Sequence, residues 1–175
     1  MRDPEGHEIL HLLDVGRDAL AVALEGVDED LAKRRPEPER WSVLECVEHL
    51  AVAEELMLAG LHVAEPSDQS HENKKREAKI LNFGLDRLRR IECPEAALPA
   101  GRSRTLREAV AQFEAVRTRT VRYVEEFSGD PRSRLTTHPL VYTPVNCYEM
   151  LLMIALHPAR HAKQIIETVS ALSNG

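Results

Sequence analysis

Two histidines four residues apart, His157 and His161, stand in the run His157-Pro158-Ala159-Arg160-His161 of the last predicted helix, from about Val145 to Leu172. At roughly 100° per residue this spacing stacks both imidazoles on one face, where both can reach a single point. The same face carries Met150, Met153, Ile154, Gln164, Ile165 and Leu172, an apolar stripe that turns inward. An imidazole facing inward needs a hydrogen-bond partner or a metal. An i, i+4 pair alone fits core or edge histidines bonded to side chains or water better than it fits a metal site. A third histidine far upstream, His49, shifts the reading toward a metal.

His49 lies on the second predicted helix. That helix opens at Ser42-Val43-Leu44-Glu45, an S-x-x-E capping box in which serine and glutamate satisfy each other's free backbone donors. Trp41 precedes the cap as a candidate staple. Val43, Val47, Leu50, Met57, Leu58 and Leu61 form the buried stripe, with His49 at its edge and Glu54 near its middle. A carboxylate at Glu54 needs a partner: an edge ion pair, or a metal-bound histidine for which it is the outer acceptor.

The other elements also read as helices. Asp3 and Pro4 suit the start of a first helix whose stripe is Ile9, Leu13, Gly16, Leu20, Ala23, Leu24 and Val27, with Gly26 marking its end. The charged, proline-bearing run 33–40 is a connection. A long stretch from Glu65 to Arg104 holds a further helical pattern (Ile80, Leu81, Gly84, Leu85, Leu88, Ile91) and then a loop through Pro94, Pro99 and Gly101. The third long helix opens with a second capping box, Thr105-Leu106-Arg107-Glu108, and closes at Ser128-Gly129-Asp130-Pro131. A loop through His138-Pro139 leads to Thr143-Pro144, read as the cap of the last helix. No alternating strand pattern, phosphate loop, dinucleotide fingerprint or repeat is present. The expected architecture is an all-α four-helix bundle, residues 1–175 as one domain.

Short links favour antiparallel neighbours, and the long crossover between the second and third long helices can return the chain to its starting end. The order is then up-down-down-up, with the second helix antiparallel to the last. His49 sits about 10 Å from the start of its helix and His161 about 16 Å from the end of its own. Antiparallel packing brings the three histidines to one level. Three neutral imidazoles make a site for zinc or nickel that leaves coordination positions open, as a reactive centre requires.

Bulk properties set the frame. The chain has 175 residues, 43% hydrophobic and 30% charged, the balance of a globular domain able to bury a core. No apolar run of membrane-spanning length and no signal-like N-terminus appear, so the expectation is a cytoplasmic protein with no membrane partner. Cys46, Cys93 and Cys147 read as free thiols. The net charge of −6 argues against nucleic-acid binding, although 74–90 carries seven basic residues against Glu77 and Asp86. Without an aromatic platform this run reads first as a solvated helix face.

The motifs together resemble the DinB/YfiT-like superfamily of metal-dependent enzymes. Trp41-Ser42-Val43-Leu44-Glu45 followed by Glu48-His49-Leu50 is similar to that family's W-S-x-x-E…H-L signature. His138-Pro139 and Thr143 resemble the stretch before its last helix, and His157-x-x-Arg160-His161-x-x-Gln164-Ile165 resembles its H-x-x-x-H-x-x-Q-I ending. The resemblance implies a four-helix bundle, a divalent metal held by His49, His157 and His161, and frequent homodimerisation. Glu54 and Gln164 are the candidates for outer support. Some branches of the family resemble transferases that use bacillithiol, mycothiol or glutathione, and others carry only a hydrolase label.

Two classes of function follow. The first is a metal-dependent enzyme joining a low-molecular-weight thiol to an electrophilic small molecule, or, in the same class, a hydrolase. The second is a non-enzymatic metal-binding or interaction module using the Lys74–Arg90 surface. Pro158 cannot donate to the Ile154 carbonyl and is expected to kink the helix beside His157. His7-Glu8-Ile9-Leu10-His11 fits the H-E-x-x-H zinc protease pattern, but it opens an all-helical chain with no strand to shape a peptide cleft. His62 and His71 have no partner at ligand spacing.

Overall fold

The computed structural model describes residues 1, 4–84, 92–138 and 141–173. The Asp3 cap, the Leu85, Leu88 and Ile91 positions of the crossover pattern, and Arg87, Arg89 and Arg90 of the basic run lie outside them. Four long helices carry the fold: α1 (Pro4–Ala23), α3 (Val43–His62), α5 (Leu106–Glu126) and α6 (Cys147–Ser173). Shorter helices α2 (Glu29–Lys33) and α4 (Lys74–Gly84) sit in the connections.

The helix starts follow local chemistry. Ser42 and Glu45 form the expected capping box of α3, with Ser42 Oγ accepting from the Glu45 N–H at 3.2 Å and Glu45 accepting from the Ser42 N–H at 2.8 Å. At α5 only half of the box closes. Thr105 accepts from the Glu108 N–H at 3.1 Å, while Glu108 turns back to the Arg104 N–H at 2.7 Å. Glu29 of α2 takes the Leu106 and Arg107 N–H groups, so an acidic side chain from elsewhere completes that cap.

The packing directions are legible in side-chain pairs. Glu54 meets Arg117 and Leu61 O meets Tyr123 OH, so α3 and α5 run parallel. Arg17 meets Glu114 and Leu13 O meets Arg117, so α1 and α5 are antiparallel. Tyr148 OH donates to Glu8, and an added Cβ at Gly16 would collide with the Ala155 carbonyl, so α1 and α6 run parallel and approach closely there. The result is the up-down-down-up bundle. Its core falls into two clusters, one around Ile9, Leu13, Met57 and Met150 and one around Val43, Val47, Phe113 and Ile165.

One part of the chain departs from the all-helical reading. The strands β2 (Arg134–His138) and β3 (Val141–Asn146) pair with each other, and β1 (Glu65–Pro66) adds an edge on the other side of β2; Pro139 lies outside the described residues. All pairings are antiparallel, with an irregularity between Thr136 and His138. Pro144 is tolerated because β3 is an edge strand. The cap of α6 is consequently Asn146 rather than Thr143. Asn146 Oδ1 accepts from the Glu149 N–H at 2.9 Å, and Glu149 accepts from the Asn146 N–H at 3.1 Å. Among the described residues no helix is long and apolar enough to cross a membrane.

Candidate metal centre

His49, His157 and His161 converge between α3 and α6. The His157 Nε2 lies 3.2 Å from His49 Nε2 and 3.0 Å from His161 Nε2. The ring centroids are 4.6 to 5.0 Å apart. The three ligand atoms fall within 4.8 Å of one another, a cluster that can hold a metal ion. Nitrogens about 2.0–2.1 Å from a tetrahedral zinc lie about 3.3 Å apart, close to the two Nε2 separations in this trio.

The backbone of α3 and α6 explains the convergence. His157 and His161 are one turn apart on α6, which runs as a single helix through Pro158. The missing proline N–H therefore neither ends the helix nor removes His157 from the cluster. His49 is buried at 5% exposure on the facing antiparallel helix, and His161 at 7%. Trp41, just before the α3 cap, covers both: its ring centroid lies 4.8 Å from that of His49 and 6.3 Å from that of His161. Trp41 thus walls the site rather than only stapling the helix start.

Protonation favours the metal-ligand form. The Nδ1 of His49 faces the Ala97 carbonyl at 2.8 Å, so Nδ1 carries the proton and Nε2 presents a bare lone pair. Burial lowers the pKa of His49, with only partial opposition from that carbonyl. Burial pushes His157 well below the ordinary imidazole value, helped by the charges of His49, His138, Arg160 and Arg117. His157 Nδ1 is buried with no hydrogen-bond partner among the described atoms. With His49 Nε2 bare, His157 either shares a single Nε2 proton between two neighbours or keeps it on the unpartnered Nδ1. Three imidazoles that each offer a lone pair at one point fit a divalent cation better than they fit each other.

The outer candidates fall differently. The Glu54 carboxylate does not reach a histidine; it accepts from Arg117 Nη2 at 2.8 Å and Thr120 Oγ1 at 2.7 Å, all three residues buried. Gln164 is half-buried one turn beyond His161. The groups that support His49 carry weaker sequence signals. Ala97 acts through its backbone, which no residue pattern reveals. Glu48 adjoins His49 in the Glu-His-Leu run and accepts from the N–H groups of Ala100 and Ser103 in the same loop. The Cys93 thiol lies 3.6 Å from His49 Nδ1, and burial raises its pKa.

The remaining histidines are elsewhere. His7 and His11 are exposed on α1, and Glu8 between them accepts from Tyr148 OH at 3.1 Å. His62 rests edge-on against Tyr123, and His71 bonds Ser67 Oγ at 2.7 Å. Part of the basic run is engaged in ion pairs: Lys74 with Glu72 and Glu77, Arg76 with the buried Glu149.

Comparisons with known proteins bear on the family and the fold. The family profile described as the DinB superfamily matches residues 12–165. The crystal structure of TT2238, a four-helix bundle protein, superposes with a TM-score of 0.52 at 18% identity, covering 97% of this chain and 99% of that one. That likeness is one of fold. No curated protein sequence matches the chain.

Proposed function

The chain belongs to the DinB superfamily, and on that premise we propose that it is a divalent-metal-dependent enzyme whose centre is His49, His157 and His161. The reaction we assign is transfer of a low-molecular-weight thiol to an electrophilic small molecule. One observation carries the reading: three Nε2 atoms meet between α3 and α6, with the opposite nitrogen of His49 already committed to Ala97. When bound, a zinc or nickel ion supplies the Lewis acidity that lowers the pKa of a thiol or water beside it.

The residues of the chain do the rest. Ala97 holds the proton on His49 Nδ1 and so keeps the ring in its ligating tautomer. Burial keeps His49 and His157 neutral at physiological pH, so binding an ion requires no proton to be expelled from them. Trp41 closes one side of the cluster to water. Cys93 lies 3.6 Å from His49 Nδ1, away from the Nε2 atoms that meet, and burial raises its pKa, which favours a thiol brought by the second substrate. The same reading takes the protein as a cytoplasmic homodimer, checked by sedimentation.

The test is a metal analysis followed by a conjugation assay. Protein purified without a histidine tag is loaded with zinc, nickel or cobalt and offered bacillithiol, mycothiol, glutathione or coenzyme A with a bromobimane. A rate above background that disappears on chelation and in His161→Ala supports the transferase. Full metal occupancy with no thiol altering the cobalt spectrum overturns it in favour of hydrolysis or simple metal binding.

A further inference from the structure

We infer that Glu48 is a positioning residue that sets which nitrogen of His49 is free, acting through the loop at 97–103; the inference rests on the reading of the three histidines as a metal centre. Glu48 is buried at 1% exposure, and among the described residues no cation pairs with it. A buried carboxylate without a counter-charge is costly unless hydrogen bonds hold it. Here two backbone donors do so: Ala100 N–H at 2.6 Å on one oxygen and Ser103 N–H at 3.1 Å on the other.

The loop is shaped for this grip. Gly101, between the two donors, has φ +69°, a left-handed conformation that lets the chain turn around the carboxylate. Ala97 lies three residues before Ala100, and its carbonyl is what His49 Nδ1 meets. Consecutive positions on α3 therefore grasp one loop at two points, Glu48 through its acceptors and His49 through its donor. If the loop is released, His49 Nδ1 loses its carbonyl and is left with the weak acceptor of the Cys93 thiol at 3.6 Å among the described residues. The ring is then free to move its proton to Nε2, where it blocks the lone pair that faces His157. A purely structural Glu48 would tie the loop down without affecting that proton.

The test reads the proton directly. Side-chain ¹H–¹⁵N correlation spectra of the metal-free protein assign the His49 tautomer in wild type, Glu48→Gln and Gly101→Val. Competition titrations give the zinc and cobalt affinities of the same proteins. Expected are a wild-type His49 protonated on Nδ1, an Nε2-protonated population in Glu48→Gln, and a loss of metal affinity of about tenfold or more. Gly101→Val strains the same turn without touching the carboxylate, so it should shift both readouts in the same direction by less. If Glu48→Gln does not fold, Gly101→Val decides the matter by the same two readouts. An unchanged tautomer with affinity within about twofold of wild type overturns the inference. A wild-type protein that binds no divalent ion, while the substitution still moves the His49 proton, overturns the metal reading and leaves the positioning role of Glu48 standing.

Discussion

Two buried polar clusters lie little more than a turn apart on α3, and they are built in opposite ways. Glu54 meets Arg117 and Thr120, and Arg117 also donates to the Leu13 carbonyl at 3.1 Å, so α1, α3 and α5 are tied through one ion pair. Donors there face acceptors. At His49, His157 and His161 the facing atoms are nitrogens of one kind, each able to offer a lone pair. The first cluster matches charge with charge, with only Arg117 Nε lacking a hydrogen-bond partner among the described atoms, whereas the second brings together three groups of the kind that ligate a cation. A buried polar group persists when it is matched. What does the matching therefore separates a fastening from a binding site.

The largest expected effect breaks the fastening. Glu54→Leu leaves the Arg117 guanidinium buried without its anion, which should cost about 3–5 kcal/mol in chemical denaturation. Adding Arg117→Met should recover most of that loss, because the pair is then gone as a unit. Neither change should alter metal affinity. If Glu54→Leu weakens metal binding in protein that remains folded, the two clusters are coupled and the contrast fails.

The next effect breaks the binding site. His49→Ala should lower the affinity for zinc or cobalt by more than about a hundredfold, beyond the loss usual for an outer partner. The thermal stability of the metal-free protein should change little by comparison. His7→Ala and His11→Ala should leave metal stoichiometry unchanged. The quenching of Trp41, the only tryptophan, by bound cobalt or nickel reports occupancy in each case.

The histidine side of this contrast is legible in the sequence, and the illegible parts share a cause. Ser42, Glu45 and the i, i+4 pair of α6 act within one helix, so spacing alone exposes them. The meeting of His49 with His157 followed from helix direction, which the long crossover implied. Glu54 could not be assigned from α3 alone, because Arg117 reaches it from another helix 63 residues away. Ala97 contributes a carbonyl, and any residue type has one. The strands β2 and β3 escaped because they are short, their register slips between Thr136 and His138, and Pro144 interrupts the pattern. Thr143-Pro144 then resembled a helix start, while the cap itself was at Asn146.

A pH series sharpens the comparison on the metal-free protein. Burial holds the pKa of His49 and His157 below the ordinary value of 6.5. The unfolded chain therefore binds more protons than the folded one as pH falls below about 6.5. The stability contributed by the neutral rings is complete above that pH. It is lost on acidification down to the folded pKa, with a slope of up to about 1.4 kcal/mol per pH unit for each ring. His157→Gln should flatten the curve of melting temperature against pH between about 6.5 and 5. An unchanged slope would show that the rings are not held neutral by the fold.

The smallest expected effect concerns Pro158, which stands between the two α6 ligands without ending the helix. A proline inside a helix costs about 3 kcal/mol relative to alanine, through the missing N–H and the clash with the carbonyl four residues back. In this molecule the neighbouring packing compensates in part. The position an added Cβ would take on Gly16 lies 3.6 Å from Pro158 Cδ, so α1 is seated on the ring. Pro158→Ala recovers a backbone bond to Ile154 but gives up that contact, and the net gain should be about 1 kcal/mol in denaturant unfolding. Because His157 and His161 already share one continuous helix with the proline present, metal affinity should stay at the wild-type value. A more stable protein with weaker metal binding would instead mean that the proline sets the aim of His157. The binding site would then owe its geometry to a local strain, and the fastening at Glu54 would be the less demanding of the two clusters.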